Sequence, residues 1–187
     1  CFHFLPIERV VAHLNDPSLV ESVLLFIGVC SDNFISYPDL IKTLIKISST
    51  DPRAAMILMQ LSNDESNALI MMSDDSWISR PSPSFLDTMK IVFCCLSHQK
   101  ARALASKSKR LLSLLVKASD TTNPSILLMI LGICQKVPLS KSRVLEMNKY
   151  GLLKNIIRAA NGAGDNIVSD KAMYEIFQIV ANVAYVN

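Results

Sequence analysis

The chain has 187 residues, of which 50% are apolar and only 19% charged, with a formal net charge of +3. That length supports one domain with a sizeable core, and the longest uncharged runs, such as Ser22 to Ser31, are too short for the ~20 residues of a membrane-spanning helix. Abundant Leu, Ile and Met with only five Gly and few aromatics favour helices over sheet.

In chain order, Ile7 to Leu14 is a first amphipathic stretch before the turn Asn15-Asp16-Pro17, followed by an apolar stretch ending Ile27-Gly28-Val29-Cys30. Leu40 to Ile47 leads to Thr50-Asp51-Pro52 and a second apolar stretch ending Met59-Gln60-Leu61-Ser62. In these turns an Asp or Asn accepts from the first free N–H groups of the next helix, and Pro at the first helical position loses no needed donor. Asn67 to Met72 reads as a short helix. After it, Ser73 to Ser84 is expected as a surface loop carrying the only Trp, Trp77, because Pro81 and Pro83 break any helix there. Ser82-Pro83 is a phosphorylation candidate within that loop, and the plainer reading tucks Trp77 onto a helix end.

A further apolar stretch ends Cys94-Cys95-Leu96-Ser97. The basic run Lys100 to Lys109 and the apolar run Leu111 to Val116 then lead through Thr122-Asn123-Pro124 to Leu131-Gly132-Ile133-Cys134. Ser142 to Lys149 enters Tyr150-Gly151, a helix follows from Gly151 to Ala160, and Ser169 to Val186 carries the final phrase, Ala181-Asn182-Val183-Ala184. One phrase written five times at roughly 30 to 50 residues is the mark of stacked units that share a continuous core.

Short helix, apolar second helix, capped turn and long third helix ending near Leu-Asn-Leu resembles the armadillo repeat family, most closely at Tyr150-Gly151-Leu152-Leu153 with Ala181-Asn182-Val183. The resemblance implies an all-α, right-handed α-solenoid of about five repeats, near 4–31, 34–63, 66–98, 101–136 and 142–186. A two-helix HEAT-like stack and an irregular helical bundle remain alternatives. The chain opens on Cys1 within a repeat, which is the expectation for a piece of a longer protein.

Armadillo proteins bind partners along the groove lined by their third helices, and the resemblance places that groove on Leu24, Met56, Gln60, Ile91, Leu128, Gln178 and Asn182. The family's Trp-Asn ladder for extended peptide backbone is absent, since Gly28, Gln60, Cys95 and Gly132 stand at the Asn positions and only Asn182 keeps it. The expected role is therefore a scaffold that grips a partner protein through side-chain contacts.

Charge is uneven. Residues 98–158 hold twelve Lys or Arg (Lys100, Arg102, Lys107, Lys109, Arg110, Lys117, Lys136, Lys141, Arg143, Lys149, Lys154 and Arg158) against Asp120 and Glu146. Stacking would gather this block into a patch for an acidic protein, anionic membrane or nucleic acid, or leave it as a solvated face. Nucleic acid is disfavoured because Tyr150 is the block's only aromatic.

Catalytic patterns are missing: His3, His13 and His98 have no metal spacing, no phosphate-binding Gly loop occurs, and Asp64-Glu65 and Asp74-Asp75 read as solvated turns. Five cysteines without Cys-x-x-Cys spacing read as small packing residues in a reducing compartment, and with no secretory pattern at the start the expectation is an intracellular protein, cytoplasmic in preference to nuclear. The expectation is a non-enzymatic domain without cofactor or metal, with self-association as a further possibility.

Overall fold

The structure is a computed structural model that describes residues 6–79, 85–120, 123–137 and 140–162 and the isolated positions 170, 174, 177, 178 and 181. Cys1, His3, Ser82-Pro83, Asn182 and most of the stretch Ser169 to Val186 lie outside the described residues. Every regular element among the described residues is helical, so the all-α expectation holds.

Helix α1 spans Ile7–Leu14 and α2 Val20–Val29; α3 spans Pro38–Ile47 and α4 Pro52–Leu61. The start of α4 follows the capping logic of its sequence, with the Asp51 carboxylate accepting from the Arg53 backbone N–H at 2.9 Å and Pro52 in the first turn. Its buried stripe, Ala54, Ala55, Ile57, Leu58 and Leu61, has helical spacing. The Asp16-Pro17 turn behaves differently. Asp16 closes on the Ser18 N–H at 2.9 Å, and α2 begins only at Val20, three residues past the proline.

Helix α5 (Glu65–Ser73) is capped by Asp64, which accepts from Ser66 and Asn67 N–H groups. A 3-10 turn over Asp75–Ser79 follows, then α6 (Phe85–Cys95). Of the two readings of this stretch, Trp77 follows the plainer one: Trp77 and Ile78 are buried, and the Trp77 indole N–H donates to the Met71 carbonyl in the last turn of α5 at 2.9 Å. Burying so large a ring while pairing its one polar atom outweighs leaving it in water.

Helices α7 (Gln99–Ala105), α8 (Lys109–Ala118) and α9 (Pro124–Lys136) complete the next group, and α10 (Lys141–Lys149) and α11 (Leu152–Gly162) the last described one. Gly151, between α10 and α11, has φ of 76°, a left-handed conformation that glycine adopts without Cβ strain.

Helix α4 lies between α2 and α6, and α6 between α4 and α9, which makes one row. On the other side, α3 packs on α1 and α5, α5 on α7, and the Asp75–Ser79 turn on α8. The core runs between the rows, through Ile27, Leu44, Leu58, Met71, Met89, Ile130 and Ile156, each almost wholly removed from water. Side-chain bonds between groups recur at a similar chain separation. Asn67 reaches Phe34 across 33 residues, His98 reaches Ser62 across 36, Arg143 reaches Ser108 across 35 and Asn155 reaches Ser119 across 36.

Candidate interaction surface

The row α2, α4, α6, α9 turns one side of each helix away from the core. On α2 the outward positions are Glu21, Leu25 and Val29, an i, i+4, i+8 stripe; on α4 they include Arg53, Met56 and Gln60. The two stripes lie side by side. Arg53 Nη1 donates to Glu21 Oε1 at 2.6 Å at one end, and a Cβ added to Gly28 would meet Ile57 Cγ1 at 3.7 Å near the other.

Along these stripes three large apolar side chains meet solvent: Leu25 at 71% exposure, Val29 at 78% and Met56 at 60%. Arg53 anchors the polar end, donating also to both Asp51 oxygens; these bonds hold the Asp51 carboxyl below its usual range. The same two acids keep the guanidinium firmly protonated, Asp51 contributing more than Glu21.

The expected groove residues divide. Met56 and Gln60 are exposed on α4, Leu128 is half-buried on α9, and Gln178 is exposed, its amide donating to Tyr174 Oη at 2.8 Å. Leu24 and Ile91 are corrected: both are buried in the core and line no surface. The reason is register. One residue along a helix turns the side chain through about 100°, and the repeated phrase does not sit in the same register in every group. Val29, Gln60, Cys94 and Gly132 share the outward or half-outward position, whereas the phrase aligned Gly28 and Cys95 with Gln60. The residues one turn earlier are therefore Leu25 and Met56, which are exposed, and Lys90 and Leu128, which are half-buried. Apolar residues on both sides of each phrase concealed the slip.

Towards α9 the row becomes cationic and tightly bonded. The Lys136 ammonium stands 3.8 Å from the Phe93 ring centroid and donates to Phe93 O at 3.3 Å and Ser97 Oγ at 3.2 Å. Burial, and then the neighbouring Arg102, lowers its pKa. Arg102 itself donates to the Leu96 and Ser97 carbonyls at the end of α6. Burial pushes the Cys95 and Cys134 thiols up to about 12, which removes them as nucleophiles at neutral pH and fits their packing role.

The basic block is not one free patch. Lys100 pairs with Glu65, Arg110 with Asp75, Arg143 with Glu146 and Arg158 with Asp120. Asp75, expected as a solvated turn residue, instead accepts from Arg110 at 2.6 Å and from the Ser108 hydroxyl, while Arg143 donates to the Ser108 carbonyl. Lys107, Lys109, Lys117, Lys149 and Lys154 are exposed and form no ion pair with a described residue; Lys141 is also exposed.

A shallow pocket of about 210 Å³ opens between Ile41, Ile45, Ile70 and Trp77, where the short Asp75–Ser79 turn leaves space beside α3. Nothing in the sequence pattern announced it. Among the described residues no three His, Cys, Asp or Glu side chains converge as a metal site, and no helix is long and apolar enough to cross a membrane.

Comparison with protein-family models, with curated proteins and with solved structures gives no match to this chain.

Proposed function

We propose that this chain is a protein-interaction domain, a scaffold or regulatory module without catalytic activity or cofactor, that holds a partner protein against the face of α2 and α4 inside the cell. The reading includes a right-handed α-solenoid of about five armadillo-like repeats. Row-by-row helix packing and bonds recurring across 33 to 36 residues support the stacked architecture.

The observation that carries the function is the row Leu25, Val29 and Met56, exposed side by side and closed at one end by the Glu21–Arg53 pair. Contiguous apolar side chains with a polar rim are the usual composition of a contact surface, and a flexible thioether adapts to more than one partner shape. Aliphatic groups without an amide ladder suit the apolar face of a partner helix.

The test is the double variant Leu25→Glu with Met56→Glu. Both positions are exposed, so helix content and melting temperature should stay near those of the original chain while partner capture is lost. Retention of the same partners at the same yield would refute the assignment. Sedimentation equilibrium separates the competing occupant: a chain that doubles in mass with concentration, and stops doing so in the variant, uses this face for itself.

A further inference from the structure

The four arginines of the basic block all have internal partners. Arg102 serves the carbonyls at the end of α6, Arg110 is held by Asp75, Arg143 by Glu146 and the Ser108 carbonyl, and Arg158 by Asp120. Lys107, Lys109, Lys117, Lys149 and Lys154 are exposed without an ion pair to a described residue, whereas Arg110 and Arg158, also exposed, are paired. On α8 the outward row is Lys109, Ser113 and Lys117 at i, i+4 and i+8. Helix α11 lies against the end of α8, Asn155 donating to Ser119 Oγ at 3.1 Å and Arg158 to Asp120, and exposes Lys154 one residue before Asn155.

We infer that Lys109, Lys117 and Lys154 form a second binding site, on the outer face of α8 and α11, for a carboxylate-rich segment of a partner protein. The inference is independent of the α2/α4 face.

Two features favour a carboxylate-rich protein segment over nucleic acid or membrane. Neither α8 nor α11 contains an aromatic residue, so unpaired bases have nothing to stack on. On α8 the exposed row has no apolar side chain, and α11 adds the single 39% exposed Ile157, little to insert below lipid headgroups; Asp75 and Asp120 also interrupt the positive field that a membrane or duplex would require. Two lysines eight residues apart on one helix are separated by about 12 Å, a span that acidic side chains two to three turns apart on a partner helix match.

The experiment uses the whole chain and three probes: a fluorescein-labelled deca-glutamate peptide, vesicles of phosphatidylcholine with phosphatidylserine, and a short duplex DNA. The expected result is peptide binding at low salt that weakens as salt rises and falls at least about tenfold in the triple variant Lys109→Glu, Lys117→Glu, Lys154→Glu. A charge-matched control, Arg9→Glu, Lys42→Glu, Lys46→Glu on α1 and α3, should retain binding; circular dichroism of both variants should show unchanged helix content. Equal loss in the control would overturn the site in favour of diffuse net charge. Preference for vesicles or duplex would overturn the carboxylate assignment, and no peptide binding at low salt would overturn both. Loss of the α2/α4 function in Leu25→Glu with Met56→Glu leaves this result untouched.

Discussion

Gly28 and Gly132 occupy the same place in the repeated phrase, yet replacing each by alanine should move stability in opposite directions. A helical Gly→Ala change gains up to about 1 kcal/mol from backbone entropy. At Gly28 the new methyl meets Ile57 Cγ1 at 3.7 Å, an ordinary contact. Because Gly28 is next to last in α2, where the helix frays, the net gain should be about 0.5 kcal/mol.

At Gly132 the methyl would stand 2.9 Å from Phe93 Cε2, too close for the ring to stay. Moving Phe93 incurs an overpacking cost of about 1–3 kcal/mol and disturbs the Lys136 ammonium above the ring, worth about 0.5–1 kcal/mol. Set against the backbone gain, the balance is a loss of about 1 kcal/mol. Urea unfolding followed at 222 nm reads both: with a slope of about 2 kcal/mol per molar, the midpoint rises by about 0.25 M for Gly28→Ala and falls by about 0.5 M for Gly132→Ala. If Gly132→Ala raises the midpoint as Gly28→Ala does, Phe93 is not held between α6 and α9 and the packing of that row is wrong.

Asn67→Ala should destabilise by about 3 kcal/mol, because the amide donates to Phe34 O at 3.0 Å, accepts from Ser36 N–H at 2.8 Å and steadies Ser36 at φ 64°; urea unfolding with an unchanged slope checks it. A loss under about 1 kcal/mol would mean that water replaces the amide. Cys30 and Cys94 should react with a thiol reagent at pH 8 in the folded chain, whereas Cys95 and Cys134 should react only on unfolding; early labelling of all four would contradict the burial. The two buried thiols have folded pKa values raised from 9.0 to about 12, so their contribution to stability is complete below about pH 9 and is lost as pH climbs from there towards 12. Unfolding midpoints that stay level from pH 8 to pH 11 would count against it.

The helices and their caps were readable because both depend on neighbours in the chain. Asp51-Pro52 and Asn123-Pro124 start α4 and α9 as their residue types require, the Asn123 side chain accepting from Ser125 N–H. The outward face was less readable, since it depends on which of several adjacent apolar residues the neighbouring helix covers. Leu24 and Leu25 are chemically identical in the sequence, yet one is buried and the other 71% exposed. Charge pairing was harder still: Arg110 and Asp75 are 35 residues apart, and nothing local marks them as partners. Trp77 left two readings open for a related reason, because the space that receives it is made by α5 and α8, on either side of the loop in the chain.

The central claim is that the α2/α4 face holds a partner protein. A photo-crosslinking amino acid placed at Val29, at the end of the exposed apolar row away from the Glu21–Arg53 pair, tests it most directly in cells. The account predicts a discrete crosslinked protein that disappears when Met56→Glu is added and is not captured from the same probe at Ser113 on α8. Equal capture at both positions, or capture at Val29 that survives Met56→Glu, would contradict it.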